Sequence, residues 1–264
     1  MKKFRVGYYQ FRPRFGDVAY NLKKIIKTLE TISADLIVLP ELFATGYTFI
    51  SRQEALGLAE KAHGETAAFL GELARETGAA IAAGFIERED DQIYNAALLV
   101  SPQRLLGTYR KIHLFNKEKL WFSPGNKPLK VYELGGARVG MMICFDWIFP
   151  ETARTLALLG ADIIAHAANL VLPYCPKAMT TRCLENRLFA LTCNRIGSEA
   201  RGEDRFAFTG GSQITGCNGE VIACAPADRI QADFAEIDPL KARDKKLNAF
   251  NDLLGDRRRG FYAL

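Results

Sequence analysis

Apolar and polar positions alternate along the chain between the period of a strand and that of a helix. FRVGYYQF (4–11) reads as a strand, and DVAYNLKKIIKTLETI (17–32) sets apolar residues at helical spacing behind Asp17, placed to cap it. DLIVLPE (35–41) is a continuous apolar run, the pattern of a strand covered on both faces. A second helical stretch, ETAAFLGELARETG (65–78), leads into three strand-like segments, AAIAAGFIER, YNAALLV and LLGTYRKIHL. A hairpin (131–144), a helix (150–160), a buried strand (162–168) and another helix (176–188) follow, and FALTCNRIG reads as a strand. SQITG and EVIACA flank the turn CNGE, a hairpin signal around Asn218 and Gly219. After QADFAEID, the segment PLKARDKKLNAF (239–250) reads as helical before a polar tail. No repeat or linker intervenes, so the pattern predicts an α/β fold in one domain, residues 1–240, with a C-terminal helix and tail over 241–264.

The two halves echo one another. DLIVLPEL and DIIAHAANL each follow a helix, begin with Asp, run apolar and end in a polar residue before Leu. Each half therefore reads as a strand-and-helix layer of the same kind. Two such layers, packed sheet on sheet with helices outside, bring Glu41 and Asn169 to one edge, beside the end of the strand that leads to Cys144. Carboxyl ends of strands are where open α/β sheets place their sites.

Composition narrows the picture. A chain of 264 residues with 48% hydrophobic content has enough apolar surface for a sizeable core. MKKFRVGYYQ lacks an apolar leader and no window is long enough to span a bilayer, so a soluble cytoplasmic chain with no membrane partner is expected. The net charge of +5 is mild, and the one dense basic run, DRRRG (256–260), reads as a solvated face rather than a nucleic-acid patch. The cysteines at 144, 175, 183, 193, 217 and 224 include no C-x-x-C pair and lack zinc spacing, so reduced core thiols and no metal site are expected.

Three residues stand out chemically. Cys144 ends an apolar strand, and Pro150 marks the helical first turn just beyond it; a thiol near a helix N-terminus is expected to favour the thiolate. Glu41 ends an apolar run, and in a pocket desolvation raises the pKa of such a carboxylate and makes it a proton acceptor. Lys111, flanked by strand-like residues, reads on its own as a snorkelling surface lysine. Of the histidines, His63 lies in a polar turn, His113 falls on the same side as Lys111 if the strand continues, and His166 reads as a hydrogen-bonded core residue. None carries a local cysteine-protease signature. Arg182 and Arg187, on the helix 176–188, either read a substrate carboxylate or make surface or intersubunit ion pairs.

LPELFATGY (39–47), YRKIHLF (109–115), EKLWFSPG (118–125) and GMMICFDWIFPETAR (140–154) together resemble, in order and spacing, the nitrilase superfamily, the carbon-nitrogen hydrolases. The resemblance spans nearly the whole chain. It implies an αββα sandwich that dimerises into an αββααββα assembly, with the tail reaching across the two-fold interface of a homodimer or higher homo-oligomer. It further implies Glu41, Lys111 and Cys144 as a catalytic triad, with Glu118 as a second acid and no cofactor. Tyr47, Phe145, Trp147 and Asn169 are placed by it beside the acyl side of a substrate. The Phe-Asp-Trp after the cysteine departs from the Trp-Glu of typical nitrilases, which favours a small aliphatic amide as substrate. One branch with a similar Cys-Phe-Asp-Trp segment is nevertheless described as nitrilase, and NLVLPYCPKAM with RCLENR looks like it; aliphatic nitrilase thus stands second, beside an N-carbamoyl amine hydrolase. A non-catalytic binding scaffold is the alternative of a different class, and the intact Glu-Lys-Cys set argues against it.

Overall fold

Parallel strands can pair only through a crossover, and the apolar runs of this chain are separated by helices that supply it. The computed structural model describes residues 3–262. The first half runs β1 (Phe4–Gln10), α1 (Val18–Leu29), β2 (Leu36–Val38), α2 (Arg52–Gly57), α3 (Glu65–Thr77), β3 (Ala80–Glu89), β4 (Gln92–Val100), β5 (Leu105–Arg110) and α4 (Glu118–Trp121). The second half begins with β6 (Val131–Leu134), β7 (Ala137–Ile143), α5 (Pro150–Leu158), β8 (Ile163–Ala167), α6 (Cys175–Asn186) and β9 (Phe189–Cys193). It ends with β10 (Ile196–Arg201), β11 (Asp204–Thr209), β12 (Gln213–Thr215), β13 (Val221–Cys224) and β14 (Gln231–Ile237).

Two six-stranded sheets result, in the orders β14-β1-β2-β3-β4-β5 and β13-β12-β9-β8-β7-β6. In each, three central strands are parallel: β1, β2 and β3 in one, β7, β8 and β9 in the other. Antiparallel strands extend both flanks. The side-chain period of two divides each central strand between two cores. Leu36, Val38, Ala80 and Ala82 face the other sheet, where they join Val139, Met141 and Ile163. Ile37, Leu39, Ile81 and Ala83 face outward, onto Ile25 and Leu29 of α1 and Leu70 and Leu73 of α3. On the far side, Gly140 of β7 leaves room for the Leu156 side chain of α5. The layers are therefore helix, sheet, sheet, helix, the αββα sandwich expected. Asp17 caps α1 as expected, its carboxylate accepting from the Tyr20 N–H at 3.1 Å.

Three expectations from the pattern are corrected. The strand predicted over LLGTYRKIHL stops at Arg110, so Lys111 and His113 lie in the turn beyond it. PLKARDKKLNAF forms only a 3-10 turn, Pro239–Ala242, because its basic residues are drawn to separate anchors that no single helix could serve. Arg243 pairs with buried Asp162 at 2.8 Å, and Lys245 donates to the Asn186 and Arg187 carbonyls at the end of α6. The hairpin β10–β11 was not anticipated at all: its buried positions are few, Ile196, Glu199 and Phe208, and one of them is charged, so its alternation is weak.

Gly84 is where packing reaches the site. The 39–43 segment runs on beside β3 after β2 ends, with Leu39 N–H donating to Ala82 at 2.8 Å and Gly84 N–H to Pro40 at 3.2 Å. A Cβ on Gly84 would stand 2.5 Å from the Glu41 Cα and 2.6 Å from the Leu42 nitrogen, both backbone atoms that cannot swing aside. Gly84→Ala is therefore expected to lower stability by about 1–3 kcal/mol and to cost activity beyond what unfolding explains, because it displaces Glu41. Urea denaturation alongside turnover of the folded fraction checks this; a variant with parental midpoint and turnover would contradict it.

Candidate active site

Pro40 has no N–H to donate, so the regular ladder lapses there although the chain stays beside β3, and Glu41 is turned inward. Glu41 is fully buried and lies past the end of β2. Its Oε1 accepts from the Lys111 Nζ at 2.7 Å and from the Asn95 Nδ2 at 2.6 Å. Lys111 is fully buried too, not snorkelling. Its backbone N–H donates to the Asn95 carbonyl at 2.8 Å, which prolongs the β4–β5 pairing by one residue and fixes where the side chain starts. The same ammonium reaches the Glu118 Oε1 at 2.8 Å, and the Tyr47 hydroxyl donates to that oxygen at 2.6 Å. Glu118 opens the short helix α4, and its second oxygen accepts the Phe115 N–H.

The loop that carries Tyr47 is held by a buried ion pair. Arg195 binds Glu199 at 2.5 Å, and the other oxygen of Glu199 accepts the Thr48 N–H at 2.7 Å and the Tyr47 N–H at 3.2 Å. Glu199 lies on β10, so the hairpin overlooked in the sequence pattern clamps the site from above.

Cys144 follows β7 and starts a short 3-10 segment, Cys144–Ile148. Its φ is +41°, a left-handed conformation that costs a non-glycine residue energy and has to be held by its surroundings. Asp146, fully buried, binds the turn: its Oδ2 accepts the Ile143 N–H at 2.9 Å and the Tyr109 hydroxyl at 2.7 Å, and its Oδ1 pairs with His113 Nδ1 at 2.8 Å. His113 thus braces the turn instead of flanking Lys111, and its ring stacks on Phe149 with centroids 3.7 Å apart. His166 is buried and hydrogen-bonded as expected, to the Cys144 carbonyl at 3.0 Å and to Thr192 at 3.1 Å. The Asn169 side chain donates to the Glu41 carbonyl at 2.9 Å, which joins the two halves where their echo placed them.

These groups act on one another electrostatically. Burial raises the Glu41 pKa above the carboxylate value of 4.5; Lys111 pulls it down and Glu118 pushes it further up. Burial works against the Lys111 ammonium, but the Glu118 and Glu41 carboxylates outweigh it and hold the lysine charged. The Cys144 thiol is pushed far up, first by burial and then by Glu41, against a smaller opposing effect of Lys111 and a hydrogen bond from the Asn169 backbone. Burial beside two carboxylates therefore works against the thiolate expected from a nearby helix N-terminus. Cys144 needs a base, and the Glu41 Oε2 has no hydrogen-bond partner among the described residues.

Cys144 opens onto a small hollow walled by Phe115, Phe145, Trp147 and Leu170, with Asn169 at its edge. A second hollow of about 290 Å³, bounded by Tyr47, Glu118, Trp121 and Phe206, meets it at Phe115. Six of the eight residues marked out in the sequence line these two hollows, and the other two, Lys111 and Glu41, are fully buried and bonded to Glu118 and Asn169 of that lining. Arg182 and Arg187 line neither hollow: the former binds the Trp147 carbonyl and Glu185, the latter the Lys246 carbonyl. Sequence reasoning passed over Asn95, Asp146, Arg195 and Glu199. Asn95 and Asp146 had a usable signal, each a polar residue inside an apolar run, YNAALLV and ICFDWIF; Arg195 and Glu199 follow or adjoin polar residues and had none.

A two-sheet sandwich with an acid, a lysine and a cysteine converging at the strand ends defines a class, and the sequence agrees. The chain belongs to the carbon-nitrogen hydrolase family, whose model matches residues 5–246, and is a carbon-nitrogen hydrolase. It is 46% identical over 262 residues to a nitrilase of Pyrococcus abyssi, covering 98% of each chain. It is 36% identical to an (R)-stereoselective amidase of a Pseudomonas species, over 94% of this chain and 89% of that one. A carbon-nitrogen hydrolase from Helicobacter pylori G27 has the same fold, with a TM-score of 0.90 at 24% identity over 99% of this chain and 97% of that one. Among the described residues no helix is long and apolar enough to cross a membrane.

A base works only when ionised, and burial raises the Glu41 pKa above 4.5. With Glu41 as base, kcat/KM for ammonia release is expected to fall on acidification with an apparent pKa above 4.5, while fluorescence reports an intact fold. An acid limb at or below that value would count against Glu41 in this role.

Proposed function

We propose that the chain hydrolyses a small aliphatic amide to carboxylate and ammonia through a thioester on Cys144. Glu41 takes the thiol proton and the sulfur attacks the carbonyl carbon. The S–C bond forms, and the carbonyl π pair moves to oxygen, between the Lys111 ammonium and the Phe145 N–H. Preorganised donors of this kind each contribute about 3 kcal/mol to lowering such a barrier. Collapse of the intermediate breaks the C–N bond, and Glu41 returns its proton to the departing ammonia. Glu41 then takes a proton from water, which attacks the thioester and releases the carboxylate and the thiol. Glu118 keeps Lys111 and the amide nitrogen in place.

The observation that carries this reading is a single ammonium bonded to two buried carboxylates, all three acting on one buried thiol. The hollow at Cys144 is small and its walls are aromatic and aliphatic, which suits an uncharged acyl group of few carbons. The 46% identity to a relative named nitrilase favours a second reading, a nitrile attacked by the same sulfur to give a thioimidate. A panel of amides, nitriles and N-carbamoyl amines scored by ammonia release and product mass separates these readings, and Cys144→Ala is expected to abolish all turnover.

The two acids are separable. Glu118→Gln keeps shape and an acceptor oxygen, so it is expected to lower amide turnover by about a hundredfold or more while a reactive ester still acylates Cys144. Glu41→Gln removes the base and is expected to block both. Single-turnover acylation that survives in Glu41→Gln and fails in Glu118→Gln would reverse the assignment.

We also infer a homodimer. Leu158 and Leu159 at the end of α5, Leu184 on α6, and Phe250, Phe261 and Tyr262 in the tail are all exposed, more apolar surface than a lone chain retains without use. Leu264 lies outside the described residues. Deleting residues 251–264 is expected to shift the particle toward monomer in sedimentation velocity and to lower activity; a fully active dimer after deletion would refute the inference.

A further inference from the structure

His166 takes no part in the mechanism above, yet it touches the one peptide whose orientation that mechanism needs. A carbonyl oxygen can only accept, so at 3.0 Å from the Cys144 oxygen the His166 Nε2 must carry the proton. Nδ1 is then the acceptor for the Thr192 hydroxyl at 3.1 Å, and the tautomer is fixed from both ends. Burial, the larger influence, holds the ring down to about 4 against the opposing pull of the Cys144 carbonyl, so it is neutral at physiological pH. The peptide between Cys144 and Phe145 is planar and trans, so its C=O and N–H point in opposite directions. A donor that grips the carbonyl on the core side therefore aims the Phe145 N–H away from the core. That N–H lies in the first turn of the 3-10 segment, where no intrahelical acceptor exists. The peptide also needs holding, since Cys144 is left-handed at φ +41°.

We propose that His166 is a positioning residue for oxyanion stabilisation: by donating Nε2–H to the Cys144 carbonyl it fixes the peptide plane that presents the Phe145 N–H to the reacting oxygen. The inference rests on the thioester reading above. Its effect belongs to the tetrahedral stage and not to the thiol itself, which makes it measurable apart from folding and nucleophilicity.

The test compares His166→Phe, which fills the space without a donor, with His166→Gln, whose amide nitrogen can stand where Nε2 stood. Three quantities are read on each: turnover of the best amide of the panel, affinity for the aldehyde of the same skeleton (propanal for propanamide), and the rate of Cys144 alkylation by iodoacetamide. The aldehyde is attacked at its carbonyl carbon: the S–C bond forms, the π pair moves to oxygen, and the thiol proton stays on Glu41, so the adduct carries an oxyanion. Its affinity thus reports the oxyanion environment, whereas alkylation generates no oxyanion. His166→Phe is expected to lower kcat and aldehyde affinity by about tenfold to a hundredfold, with KM and alkylation within about threefold of the parent, and His166→Gln to recover most of the loss. Unchanged aldehyde affinity in His166→Phe overturns the proposal, as does a parallel loss of alkylation that His166→Gln fails to rescue. Where His166→Phe does not fold, Thr192→Val carries the same test by releasing the ring: a loss of aldehyde affinity at parental alkylation supports the proposal, and parental affinity overturns it. Failure of the underlying reading shows instead with His166 intact, as turnover that persists in Cys144→Ala, and it would remove both.

Discussion

The site depends on one ammonium placed between two buried carboxylates. Taking a carboxylate out of water costs several kcal/mol, on the order of the stability of a whole domain, unless a partner is fixed at contact distance. Lys111 is that partner for Glu41 at 2.7 Å and for Glu118 at 2.8 Å, and neither carboxylate would be tolerated at its depth without it. The converse also holds: Lys111 keeps its charge in a dry setting because both acids are there. Three residues far apart in sequence are thus mutually conditional, and the fold has to deliver them together or not at all.

The sandwich delivers them by ending its strands at one edge. Glu41 follows β2, Lys111 follows β5 and Cys144 follows β7, so each functional group leaves a rigid strand at a defined point. Small contacts set the fine placement. Gly84 permits the Glu41 backbone to lie against β3, Asn95 holds both the Glu41 carboxylate and the Lys111 backbone, and the Asn169 amide ties the Glu41 carbonyl to the second sheet. The Tyr109 hydroxyl on Asp146 ties the end of β5 to the Cys144 turn in the same way. Relative motion of the two sheets would therefore disturb the acid, the lysine and the thiol at once.

Much of this was legible in the sequence, and the reasons are local. DLIVLPE and DIIAHAA show their burial on both faces as unbroken apolar runs, and the polar residues that end them, Glu41 and Asn169, meet in the structure through one hydrogen bond. The helix α1 announces itself by Asp17 and by apolar spacing at Ile25 and Leu29. What was not legible depends on distant partners. Nothing near Glu199 reveals that its carboxylate will cap the Tyr47 loop, and the alternation of β10 and β11 is masked because a charged residue, Glu199, faces inward while small residues, Ser198, Ala200 and Ala207, face outward. The tail 239–250 has helix-forming residues, but their charges are spent on Asp162 and on the carbonyls that end α6, an outcome set by tertiary contact and not by propensity. The thiol was misjudged for a related reason: a helix N-terminus can be seen in a sequence, whereas two carboxylates folded in from elsewhere cannot.

The rise of the thiol pKa bears on the reaction proposed above. A protonated thiol adds no third anion beside Glu41 and Glu118, so the resting site avoids the worst crowding of like charge. In the proposed reaction, the negative charge passes from carboxylate to sulfur when Glu41 takes the proton, and from sulfur to oxygen when sulfur attacks. Through these steps the number of charges enclosed in the site does not change; only their position does. A buried site tolerates relocation far better than creation of charge, provided that fixed donors wait at each new position. Lys111 serves the carboxylates at one end of that path, and the peptide N–H of Phe145 lies at the other, on a turn held by Asp146 before the cysteine and by His166 after it. In the proposed reaction the strained φ of Cys144 is the geometric cost of presenting sulfur and peptide N–H to the same atom, sustained because the Ile143 N–H is held by Asp146 and the Cys144 carbonyl by His166.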